Sequence, residues 1–176
     1  SISNKKNLQF ICKTLNDYNI QIIASSNTYK KIIDLGYQSK KISSITKFNE
    51  LFEGRVKTLH PIIHGGILFR RFDVKHLIEV KKNKIPQIDF VIVNLYPFKK
   101  ISSSKKQYDE CIENIDIGGH ALIRSAAKNY KYVTTLCDPN DYKSLKKELK
   151  NNKGITTLKY RKKLAVKAFK KICEYD

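Results

Sequence analysis

The densest chemistry in the chain lies in NIDIGGHALIRSAAKN (114–129). Asp116 stands just before the Gly118-Gly119 pair, where free backbone N–H groups at a helix start can meet an anion and glycine lets a ligand approach closely. Behind it His120, Arg124 and Lys128 recur every four residues, so a helix would array them as one basic stripe. A solvated face is the ordinary explanation for such a stripe. Its start beside an Asp-x-Gly-Gly turn points to a site instead. RVKTLHPIIHGG (55–66) is the second candidate. Arg55, Lys57 and Thr58 are donors suited to an anionic or carbonyl-bearing ligand, against the blander reading of a solvated loop. His60 and His64 have the spacing of a zinc pair on a helix. Pro61 and Gly65-Gly66 argue against a regular helix through both, and no third ligand lies close in sequence, so no metal is expected.

Three shorter segments share this character. SISNKKNL (1–8) sets Ser1, Ser3 and Lys5 just before a helix, and SSNT (25–28) sets Ser25 and Thr28 before another. Hydroxyls and N–H groups at such starts either cap the helix or wrap a phosphate. NLYPF (94–98) puts Asn94 and Tyr96 at the exit of an apolar strand. Tyr96 there could simply close the core, but an amide is disfavoured inside a strand.

These segments need a scaffold, and the hydrophobic pattern supplies one. Helical spacing runs over 5–18, 28–36, 74–83, 119–129, 139–150 and 156–175, with apolar extended runs at 21–25, 40–45, 89–98 and 132–137. DFVIVNLYPF lacks alternation, as expected of a central strand covered on both faces. Strands separated by helices predict an α/β fold with a three-layer, open, mostly parallel sheet. Ligands of such sheets bind outside the carboxyl ends of the strands, which is where the segments above fall.

Composition narrows the class. A chain of 176 residues with 41% hydrophobic content suits a single domain with its own core. No run is long and apolar enough for a membrane span, and no membrane partner is expected. Four scattered cysteines (Cys12, Cys111, Cys137, Cys173) suggest reduced thiols and a cytoplasmic setting. The net charge of +19 is nearly all lysine, spread along the chain. Arginine is the usual reader of bases and phosphates, so nucleic acid is not expected as a partner. With Met 0, Ser1 is not an initiator, and the chain is expected to lack the start of its first strand.

GRVKTLHPIIHGGIL, VNLYPF, NIDIGGHALIRSAAKNY and TLKYRKKLAVKAF, in that order, resemble the N-terminal IMP cyclohydrolase domain of the bifunctional AICAR transformylase/IMP cyclohydrolase family. The resemblance spans essentially Ser1 to Asp176 and implies a methylglyoxal-synthase-like fold. It also implies dehydrative closure of the formamidoimidazole carboxamide ribonucleotide FAICAR to IMP, in purine biosynthesis, with no cofactor. The transformylase half would follow and is not expected here. The implied catalytic set is Lys57, Tyr96, Asp116 and Lys128, with Asp116 paired to Lys128. Implied substrate contacts are Ser1, Ser3, Lys5, Ser25, Thr28, Arg55, Thr58, Asn94, Gly118 and Gly119. The implied partner is a purine ribonucleotide, and a homodimer is admitted. Two departures stand out: Ser26-Asn27 replace a Gly-Gly pair, which matters if that loop needs φ > 0, and His120 replaces a proline or small apolar residue.

Other classes leave different marks. A nucleotide-sensing module of this fold would need the phosphate loop but not the four-residue set. Methylglyoxal synthase would not call for the NLYPF and DIGG segments. A nucleic-acid binder would interleave aromatics with its basic patch.

Overall fold

The computed structural model describes residues 2–95 and 108–176. Its strands are β1 (Ile23–Ala24), β2 (Lys40–Lys41), β3 (Phe90–Ile92) and β4 (Thr134–Leu136). The helices are α1 (Leu8–Asn16), α2 (Ser26–Asp34), α3 (Ile42–Thr46), α4 (Pro61–Leu68), α5 (Val74–Lys82), α6 (Tyr108–Glu113), α7 (Ile117–Lys128), α8 (Tyr142–Asn151) and α9 (Leu158–Tyr175). β1 pairs with β2 and β3 with β4, both in parallel, and a parallel bridge joins Ile2 to Asn94. An apolar cavity of about 640 Å³ lies between the two pairs, lined by Ile22 to Ala24 on one side and Phe90 to Val93 on the other.

Strand β3 shows why its sequence lacks alternation. Val91 and Val93 pack into one buried cluster with Ile63 and Ile67 of α4, Ile123 and Ala126 of α7, and Ala168 and Ile172 of α9. Phe90 and Ile92 pack against a second cluster, built from Leu8, Ile11 and Leu15 of α1, Ile32 of α2, and Leu145 and Leu149 of α8. Successive side chains on a strand point to opposite faces, so both faces must be apolar when helices cover both. The arrangement is the expected three-layer α/β fold.

Two local expectations are corrected. Residues 61–68 are helical despite Pro61 and the glycine pair. Proline is tolerated at the first helical position because its missing N–H would have no intrahelical partner there. Gly66 is required by packing: a Cβ there would run into the Pro86 carbonyl oxygen, and one on Gly65 would press Ile85 Cδ1 at 3.1 Å. The extended reading of 40–45 also fails after Lys41. Ile42 and Ile45, three apart, both reach the first cluster, which a helix allows and a strand does not. Helices α3, α4 and α6 are additions to the sequence reading.

Cys12, Cys137 and Cys173 are free thiols, the first two buried and the third exposed. Among the described residues no helix is long and apolar enough to cross a membrane.

Candidate active site

Asn94 lies two residues past the end of β3, bridged to Ile2, and is the anchor of the rim. It is 6% exposed, and its side chain clamps the loop that follows Ile2. Oδ1 accepts from the Asn4 N–H at 2.9 Å, and Nδ2 donates to the Asn4 carbonyl at 3.0 Å. Ser3 Oγ lies 2.9 Å from both the Asn94 carbonyl and Oδ1, and 3.0 Å from the Leu95 carbonyl. One hydroxyl proton thus faces three acceptors, and Ser3 is held by the scaffold. The buried amide is satisfied by loop backbone rather than by a neighbouring strand, which explains an Asn at a strand end.

Lys5 folds back over the same loop. Its Nζ donates to the Ile2 carbonyl and, at 3.1 Å, to Thr28 Oγ1. Thr28 is buried and also meets the Ile2 N–H. Burial, and after it the charge of Lys57, hold the Lys5 ammonium below the ordinary lysine range. The second cause brings Lys5 and Lys57 to one neighbourhood, though they come from loops far apart in sequence. Lys57 Nζ lies 3.6 Å from the point a Cβ on Gly54 would occupy, and Glu50 Oε2 lies 3.5 Å from it. Glu50 Oε2 also accepts from Ser26 Oγ at 2.7 Å. Glu50 therefore stands between the 25–28 and 55–58 segments. Sequence reasoning missed it, because an exposed glutamate in a loop carries no distinguishing pattern.

Thr58 links this neighbourhood to the DIGG turn. It is 3% exposed, and its Oγ1 would lie 2.5 Å from a Cβ on Gly118. Asp116 is the N-cap of α7, accepting the Gly119 N–H on Oδ1 at 2.7 Å. Its own N–H donates to Tyr175 Oη at 3.0 Å. Gly119 is needed here, since a Cβ would meet Asp116 Oδ2 at 2.5 Å. The Asp116 carboxylate borders a second cavity, of about 500 Å³, with His64, His120, Arg124, Tyr175 and Asp176. His120 Nε2 lies 3.0 Å from Asp176 Oδ2, which gives the unusual residue a partner.

Several expected residues do not join this group. Lys128 is exposed at the far end of the helix that Asp116 caps. At about 1.5 Å of rise per residue, roughly 18 Å separates them. The expected Asp116–Lys128 pair is therefore not made within one chain, because a straight helix keeps its ends apart. Arg55 instead pairs with Glu113 at 2.8 Å, with side chains 65% and 58% exposed. Ser25 is buried at the N-cap position of α2 but makes no side-chain cap bond. Ser26 and Asn27 are inside α2, and neither has positive φ, so their departure from Gly-Gly costs no backbone strain. Ser1 and Tyr96 lie outside the described residues. The two histidines are structural here: His60 Nδ1 accepts from the Ile62 N–H, and His64 Nδ1 meets Ser125 Oγ.

The fold and the rim can now be set against known proteins. The MGS-like domain profile matches residues 7–121, from α1 through the DIGG turn that closes the rim. The chain belongs to the MGS-like domain family. A second family profile, AICARFT/IMPCHase bienzyme, matches residues 126–176 of the chain. The bifunctional purine biosynthesis protein PurH of Prochlorococcus marinus is 46% identical over 177 residues, covering 100% of this chain and 34% of the relative. The PurH of Brucella ovis is 43% identical over 176 residues, covering 100% and 33%. The chain thus spans about a third of the length of these relatives. Among solved structures, a crystal structure of ForH superposes with a TM-score of 0.85 at 33% identity, covering 99% of this chain and 90% of that one.

Proposed function

We propose that this MGS-like domain is an IMP cyclohydrolase, a hydrolase acting on cyclic amidines, which closes FAICAR to IMP. The observation that carries the reading is Thr58 seated on Gly118 beside the Asp116 cap, with the charge of the neighbouring Lys57 felt at Lys5. Two cations brought together at the cost of mutual repulsion suit a phosphorylated ligand. The relatives named as bifunctional purine biosynthesis proteins supply the reaction class.

The chemistry is intramolecular. The carboxamide nitrogen attacks the formyl carbon, a ring carbinol forms, and water leaves to give the pyrimidinone ring. The nucleophile is weak because its lone pair is delocalised, so holding the ends together is the first requirement. In this reading Lys5, Ser25 and Thr28 hold the phosphate, with Ser1 and Ser3, while Arg55, Thr58, Asn94 and the Gly118-Gly119 backbone seat the rest. Lys57, helped by Tyr96, stabilises the developing negative oxygen and protonates it as it departs. Asp116 accepts the proton from the carboxamide nitrogen. Lys128 enters only as a side chain lent to a second copy, in a cytoplasmic homodimer without cofactor.

The test is turnover of FAICAR followed by the absorbance of IMP. Lys57→Ala and Asp116→Asn should each lower kcat by about 10² to 10³. Near wild-type turnover in both variants would remove the assignment.

A further inference from the structure

His64 is used by none of the chemistry above, yet it occupies the junction that this chemistry depends on. It projects from α4 to α7, where Nδ1 lies 2.9 Å from Ser125 Oγ. Its Nε2 is buried. Burial lowers the ring's pKa below the ordinary histidine range, and the neighbouring Thr58 backbone acts in the opposite direction. The Thr58 carbonyl accepts from the His60 N–H at 2.9 Å where α4 starts, so the His64–Ser125 bond ties the helix that follows Thr58 to the helix whose start Thr58 meets at Gly118. The nearby Asp116, His120, Arg124 and Asp176 line the same cavity as His64, so a charged ring there would meet both signs.

We propose that His64 is a positioning residue, a spacer held by Ser125 that sets how Thr58 seats on the start of α7 and so where the Lys57 ammonium stands. A side chain of this shape can do so because interiors are close-packed and transmit sub-ångström displacements. Without the ring, α4 loses its bond to α7 and can shift on it, and Thr58, tied to the start of α4 through the His60 N–H, shifts with it. Lys57, its neighbour, then samples positions away from the reacting oxygen while phosphate contacts stay intact. The activity readout rests on the cyclohydrolase reading, and a second readout does not.

Three variants of the full chain test this: His64→Ala, Ser125→Ala and His64→Asn, whose amide oxygen can still accept from Ser125. His64→Ala and Ser125→Ala should lower kcat for FAICAR about tenfold or more with KM within about twofold. Amide hydrogen exchange over residues 56–60 should quicken in both. His64→Asn should recover most of the loss. Wild-type kcat together with wild-type exchange in Ser125→Ala, which keeps the ring and removes only its anchor, would overturn the proposal. Should the wild-type chain not cyclise FAICAR at all, the cyclohydrolase reading fails by itself. Exchange over 56–60 then decides alone: faster in Ser125→Ala sustains the spacer, and unchanged overturns it.

Discussion

Thr58 Oγ1 stands 2.5 Å from the place a Cβ on Gly118 would take, so the loop that carries Lys57 seats this closely on the start of α7 because residue 118 has no side chain. The contact turns two distant sequence segments into one rim. Gly118→Ala should therefore push Thr58 away without disturbing either core cluster. The expected result is a loss of about 10² in kcat/KM for FAICAR, the scale set by misplacing a catalytic group by about 1 Å. Steady-state kinetics with a parallel thermal melt checks this, since the melt should move far less than the rate.

Asn94 holds the first loop by bonds to Asn4 on both ends of its amide. Asn94→Ala leaves the N–H and C=O of Asn4 without their side-chain partners, while Ser3 Oγ keeps the carbonyls of residues 94 and 95. The cost should be about 2–3 kcal/mol of unfolding free energy. Denaturant titration of the variant measures it, and a cost near zero would mean that water replaces the clamp.

Lys5 has a pKa lowered by burial and by Lys57. Below its folded pKa the charged ammonium is penalised relative to the unfolded chain, and this penalty is relieved as pH rises from the folded pKa to the unfolded one. Anion binding runs the other way, because it needs the proton. Affinity for IMP should therefore weaken at a pH below the ordinary lysine range, and Lys5→Arg should move that loss to higher pH. Calorimetric titration across alkaline pH decides the matter.

Cys12 is 1% exposed, and burial raises its thiol from 9.0 to about 11. In the unfolded chain the thiol ionises near 9, so between pH 9 and about 11 the unfolded state binds fewer protons and stability falls with rising pH. Two pH units correspond to about 2–3 kcal/mol. Cys12→Ala should remove this slope while adding a constant cost for the lost volume. Thiol labelling should in turn reach the exposed Cys173 before Cys12 or Cys137.

Gly66 gives a fold-level test. A Cβ there meets backbone, the Pro86 carbonyl, rather than a movable side chain. Gly66→Ala should cost about 1–3 kcal/mol or more, at the severe end for overpacking. A wild-type melting temperature would mean that the 85–88 segment yields freely.

What the chain determined by itself was its periodicity and its local chemistry. The unbroken apolar run of β3, the apolar stripe of α1 and the Asp-x-Gly-Gly start of α7 follow from side-chain spacing and capping, which act over a few residues. Contacts between segments were not legible there. The helix over Pro61–Leu68 exists because Gly66 can lie against Pro86, and α3 because Ile42 and Ile45 share a cluster. Glu50 joined the rim, and Lys128 left its expected partner, for the same reason: a helix of twelve residues separates its ends by a fixed length, whereas a loop does not. Local preference selects elements, and packing of those elements decides which side chains meet.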